Sequence, residues 1–227
     1  MLRLQHPQAA PAARSLRRPP ARRNRVSPAG FGLLLLTPPV PHPREQTILA
    51  QLLTAPVPPA RLHLRRPAWT RAQTAAWLQA LPAAWLPRVV LHAHHELARE
   101  LAVGGLHLPA AARASGRRPP LPRGCTLSTA LHTLAEVRNL AADYDYVLLS
   151  PLFDSLSKAG YASAFELPAV TAVLREVPAA SVVALGGISA RTLPLIRPAG
   201  FAGAAVLGAV WQAPDPVAAW QALVAGE

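Results

Sequence analysis

Lys158 is the single lysine of a 227-residue chain that otherwise carries its positive charge on arginine. It stands within Asp145–Tyr161, where a Leu-rich run ends at Ser150-Pro151 and passes into a polar segment. A second run, Val182–Leu185, stops at Gly186-Gly187. Short runs of this kind, halted by Ser, Pro or Gly, have the pattern of buried parallel strands that deliver loops where small molecules bind. An ammonium is compact and mobile where a guanidinium is planar, so Lys158 is a candidate partner for a substrate carboxylate or phosphate. Asp154 would hold its loop; a solvated surface pair is the plainer alternative.

Imidazole supplies the other chemistry, since its ordinary pKa of ~6.5 lets it take and give protons near neutrality. In His92-Ala-His94-His95, His92 and His94 share a side if the strand continues through them, a spacing that suits Zn2+ or Ni2+. No third ligand with an orienting partner is evident, so the expectation is no metal: His92 at a site mouth, His94 and His95 at a helix start. His107 ends a strand either as a core histidine or as a substrate contact.

These residues need elements to position them. From Phe31 onward strand-like and helix-like patterns alternate about every 25 residues. Strands are expected at Phe31–Thr37, Arg61–Arg65, Arg88–His92, Gly105–Leu108, Gly124–Ser128, Tyr146–Ser150, Ser181–Leu185 and Ala202–Leu207. Helical spacing falls at Glu45–Leu53, Arg71–Leu81, His95–Val103, His132–Ala141, Phe165–Val177, Ala190–Leu195 and Pro214–Val224, with a weaker stretch at Ala110–Ser115. Such alternation implies a parallel sheet, and eight units in so short a chain favour a TIM (β/α)8 barrel. Chemistry then belongs at the carboxyl ends of the strands, where Thr37, Arg65, His92, His107, Ser128, Ser150, Gly186 and Gly208 fall. The turns at Gly186-Gly187 and Leu207-Gly208 suit a phosphate held by backbone N–H groups.

Half of the residues are hydrophobic, 51%, and the formal charge is +12. Residues 1–28 hold seven arginines and no acid, so most of that charge belongs to a Pro- and Ala-rich segment expected to be a disordered extension ahead of a single domain at 29–227. No aromatic residue is interleaved with these arginines, which argues against nucleic acid. No apolar run is long enough to span a membrane. Cys125 is the sole cysteine, so no intramolecular disulfide is possible and a cytoplasmic protein is expected. A homo-oligomer is left open.

Leu62-His-Leu-Arg65, Gly105-Leu-His-Leu108, Leu131-His-Thr-Leu-Ala-Glu136, Asp145–Tyr161 and Ala184-Leu-Gly-Gly-Ile188, in this order, resemble the thiamine phosphate synthase/TenI superfamily of TIM barrels. The resemblance runs from about residue 31 to 212. It implies a thiamine-biosynthesis enzyme that binds a thiazole phosphate, with Gly186, Gly187, Leu207 and Gly208 at the phosphate and Arg65, Ser150 and Ser157 at the substrate. His63, His92 and His107 are further possible contacts. Synthase members couple hydroxymethylpyrimidine diphosphate to thiazole phosphate with Mg2+ held by aspartates. Here Ala93 stands at one aspartate position, and Pro109–Ala112 offers no carboxylate at the other. An Arg-Glu-Lys of the synthases is Arg65-Arg66-Pro67. Tautomerase-type members, which aromatise a thiazole carboxylate phosphate by moving a proton, also lack the second aspartate and carry a histidine matching His132. They have Cys where this chain has Ser157. The resemblance therefore favours a thiazole tautomerase with His132 as acid/base, Lys158 beside it and no cofactor. The alternatives are the synthase, with Mg2+, or a non-catalytic thiazole-phosphate binder.

Overall fold

The computed structural model describes residues 30–153, 165–178 and 180–226. Asp154, Ser157 and Lys158, and the arginine-rich segment 1–28, lie outside the described residues. Eight strands run in chain order: β1 Gly32–Leu36, β2 Arg61–Leu64, β3 Val89–Leu91, β4 Gly105–Leu108, β5 Thr126–Leu131, β6 Tyr146–Leu149, β7 Val182–Leu185 and β8 Gly203–Val206. Each pairs in parallel with the next, and β8 pairs with β1 to close the barrel. Outside lie α1 Glu45–Leu53, α2 Arg71–Gln79, α3 Leu97–Glu100, α4 Ala110–Ala114, α5 Leu134–Leu140, α6 Leu167–Glu176, α7 Leu193–Ile196, α8 Gly208–Trp211 and α9 Pro216–Ala225. The sequence pattern missed the short α8 and a 3-10 turn at Ala83–Arg88. No described helix is long and apolar enough to cross a membrane.

The unbroken apolar run of β1 is explained by burial on both faces. Leu33 and Leu35 pack outward against the helices, while Leu34 and Leu36 join Tyr146, Leu148, Val183 and Ala205 inside the barrel. Side-chain polarity starts the helices. Thr70 and Gln73 form a capping box on α2, Thr133 and Glu136 another on α5, and Asp215 accepts from Val217 and Ala218 N–H before Pro216 opens α9.

Seven strands end within one residue of expectation; β5 does not. It was expected to stop at Ser128 and runs on to Leu131, because Leu148 and Leu149 of β6 stand opposite Ala130 and Leu131. Ser128 is therefore fully buried inside the barrel, not at its rim.

Candidate active site

A cavity of about 730 Å³ opens at the carboxyl ends of the strands. Thr37, Arg65, Arg66, His92, His107, His132, Ser150, Leu207, Gly208 and Trp211 all contribute to its wall. Leu36, Leu148 and Leu185 add apolar surface, so the cavity combines a hydrophobic floor with polar groups at its margin. Among the described residues no carboxylate lines it.

The two arginines are held differently. Thr37 Oγ1 accepts the Arg65 backbone N–H at 3.0 Å, which fixes the chain while the Arg65 side chain stays exposed. Arg66 is 3% exposed, pairs with the buried Glu45 carboxylate and lies 5.0 Å from the centre of the Trp69 ring. Glu45 also accepts from Trp77 Nε1 at 2.9 Å. Arg66 Nε and Nη1 are buried with no hydrogen-bond partner. A buried donor left unmade is costly, and an anion would satisfy two at once.

His132 precedes α5. Its N–H donates to Glu136 Oε2 at 2.8 Å, and its ring Nδ1 lies 2.8 Å from the Ser150 carbonyl oxygen. A carbonyl can only accept, so Nδ1 carries the proton and Nε2 keeps its lone pair. Glu136 also pairs with Arg113, which in turn donates to the Ala130 carbonyl. Burial alone would raise the Glu136 carboxyl; the His132 and Thr133 N–H groups and the Arg113 guanidinium outweigh it and hold it below the usual carboxylate range.

The histidines divide in a way the sequence reading did not anticipate. β3 ends at Leu91, so His92 and His94 do not share a strand face. His94 adopts φ 52° and its Nε2 lies 2.9 Å from the Trp69 carbonyl oxygen. His95 Nε2 lies 3.1 Å from the His107 carbonyl oxygen. His92 instead meets His63 and His107. His63 Nδ1 is 3.0 Å from His92 Nε2, and the His92 and His107 rings stack with centroids 4.1 Å apart. His63 is fully buried and absent from the cavity wall; behind it, Nε2 lies 2.8 Å from the Tyr146 hydroxyl. His107 Nδ1 lies 3.0 Å from Ser128 Oγ. Burial, then the neighbouring imidazoles and arginines, pushes His63 and His92 well below the ordinary imidazole value, and burial with His95 and Arg65 takes His107 down to about 3.

Of the glycine turns, Leu207 and Gly208 reach the cavity, whereas Gly186 and Gly187 do not line it. Gly186 has φ +94°, and a Cβ there would come within 2.8 Å of Pro151 Cα, so this glycine is required for β7 to pass the loop after β6. Gly187 accepts from Thr192 Oγ1 at 3.0 Å. Trp211 and Gln212, which no motif marked, enter the wall because α8 begins immediately after β8.

Residues 47–210 match the thiamine monophosphate synthase family. The chain belongs to that family. Thiamine-phosphate synthase of Bacteroides fragilis is 33% identical over 135 residues, 57% of this chain and 66% of that relative's length. The crystal structure of thiamine phosphate pyrophosphorylase from Bacteroides thetaiotaomicron is similar with a TM-score of 0.73 and 26% identity, covering 86% of this chain and 97% of that one. The Pyrococcus furiosus thiamine phosphate pyrophosphorylase, at 16% identity and a TM-score of 0.68, shows the same fold. The Mg2+ expected only under the synthase alternative finds no carboxylate ligand among the described residues of the wall. Mg2+ is held through carboxylates and other hard oxygens, and besides Thr37, Ser150 and Gln212 the polar residues of this wall are histidines and arginines, with Ala93 at the aspartate position.

Proposed function

We propose that the protein couples hydroxymethylpyrimidine diphosphate to thiazole phosphate, with arginine supplying the charge that metal-bound carboxylates would otherwise organise. The carrying observation is the basic wall: Arg65 and Arg66 both line the cavity, and two Arg66 donors are buried without a protein partner. Coupling displaces pyrophosphate, so the site must stabilise negative charge building on the leaving group. Planar guanidinium forks suit phosphate oxygens, and Arg65 stands next to Arg66 with an exposed side chain. On this reading the thiazole phosphate would sit at the Leu207-Gly208 turn, which lines the cavity. The thiamine-phosphate synthase relatives support the same reading.

A second reading, aromatisation of a thiazole carboxylate phosphate, rests on the His132 geometry. The Ser150 carbonyl fixes the tautomer that leaves Nε2 able to accept a proton at the cavity margin. Two assays on the purified protein separate the readings: thiazole phosphate is given with hydroxymethylpyrimidine diphosphate, and thiazole carboxylate phosphate is given alone. Coupled product supports the proposal. Aromatisation without coupling would establish the tautomerase, and His132→Ala should then lower its rate by about 10²–10⁴-fold. Tight thiazole-phosphate binding with neither reaction would leave a non-catalytic binder.

A further inference from the structure

We propose that His63, His92 and His107 form a transition-metal site of the Zn2+ type, with its open coordination position facing the cavity. One ring nitrogen from each lies within 4.8 Å of the others. Zn–N distances of about 2.0–2.1 Å place tetrahedral ligand atoms ~3.4 Å apart, and His63 Nδ1 and His92 Nε2 are already 3.0 Å apart. Neutral imidazoles suit Zn2+, Co2+, Ni2+ or Cu2+, and do not suit Mg2+. Burial keeps all three rings neutral, which is the ligating form.

The surrounding hydrogen bonds supply what ligating histidines need. A histidine that binds a metal through one nitrogen donates from the other, and that donation sets its tautomer. Ser128 Oγ reaches the Leu106 carbonyl oxygen, to which it can only donate, so it accepts from His107 Nδ1–H and leaves the lone pair on Nε2. In the ligating tautomer His63 Nε2–H would donate to the Tyr146 hydroxyl and leave the lone pair on Nδ1, with the proton now between Nδ1 and His92 Nε2 displaced by the ion. His92 and His107 line the cavity, so an ion they share has a face toward it. The His92 and His107 rings stack at 18°, so their in-plane lone pairs do not yet converge on one point. His92, the least buried of the three, therefore turns about its side-chain torsion to bind. Among the described residues no carboxylate lines this wall, and Arg65 stands close enough to act on both His92 and His107, so the fourth ligand is water or an anion such as phosphate.

The site does not depend on which reaction the cavity performs, and metal binding alone tests it. Chelator-treated protein is titrated with Co2+ in the absence of substrate, followed by its visible absorption, and then displaced with Zn2+. One ion per chain with the intense bands of a four-coordinate centre is expected. His107→Phe and His92→Asn should each abolish those bands. Tyr146→Phe, which keeps all three ligands, should weaken binding about 10–100-fold, while His94→Asn should leave it unchanged. Inorganic phosphate should shift the bands. Failure of folded wild-type protein, verified by circular dichroism, to bind Co2+ or Zn2+ would overturn the proposal. So would binding that survives His107→Phe and His92→Asn but is lost in His94→Asn. Bands unmoved by saturating phosphate would refute the open position.

Discussion

Arg66 joins two roles in one side chain. It neutralises Glu45 inside the protein, and it lines the cavity while two of its donors stay buried without a partner. Removing one member of a buried ion pair leaves the other uncompensated, so Arg66→Met should cost about 3–5 kcal/mol in denaturant unfolding. Glu45→Gln in the same background should restore much of that loss, because the neutral amide can still accept from Trp77 Nε1. Pyrophosphate binding, measured by calorimetry, should fall in the single and the double variant alike. Recovery of binding along with stability would show that Arg66 serves the fold alone. The arginine pair was visible in the sequence as a departure from the synthase pattern. Its unequal burial was not, because that depends on Glu45, 21 residues earlier in the chain, folding back beneath it.

At the level of elements, α5 fixes His132 from its first turn. Thr133 Oγ1 accepts from Glu136 N–H at 3.1 Å, and Glu136 returns to the N–H groups of His132 and Thr133. Thr133→Ala should lower stability by about 1 kcal/mol. It should also lower any reaction that uses His132 more than it lowers thiazole-phosphate binding, as kcat and KM would report separately. The motif containing His132 was legible because its residues are close in sequence. The three-histidine cluster was not, because β2, the end of β3 and β4 supply one residue each. Local spacing paired His92 with His94 instead. Strand parity could have found only the groups behind the cluster: in the pairing of β4 with β5 and β5 with β6, His107, Ser128 and Tyr146 fall on one row. Strand limits were read well because apolar runs mark them; β5 was misread because its small polar residues look like a rim when their partners on β6 are not considered.

For the whole molecule, the buried histidines predict how stability depends on acid. Their folded pKa values lie below the unfolded value of ~6.5. The unfolded chain therefore takes up protons that the folded chain refuses. Stability is full above about pH 7 and declines as pH falls, with the window for His107 extending toward its folded value of about 3. Each histidine contributes up to about 1.4 kcal/mol per pH unit. Burial lowers His95 as well, so urea unfolding between pH 7.5 and 5 should show the slope of four histidines and His107→Gln should reduce it by about a quarter; an unchanged slope would place the proton uptake elsewhere. Closure of the barrel has a different consequence. Phe31, just before β1, and Gly226, just after α9, line one small cavity together with Arg197. The two ends of the described chain thus meet beside the amino-terminal end of β1, across the barrel from the cavity mouth. A circular permutant that joins residue 226 to residue 30 through a short glycine linker, and opens new ends between the exposed Gly116 and Arg117, should keep every strand pairing. It should melt cooperatively and bind the same ligands, because chain order is not what holds a closed ring of strands together.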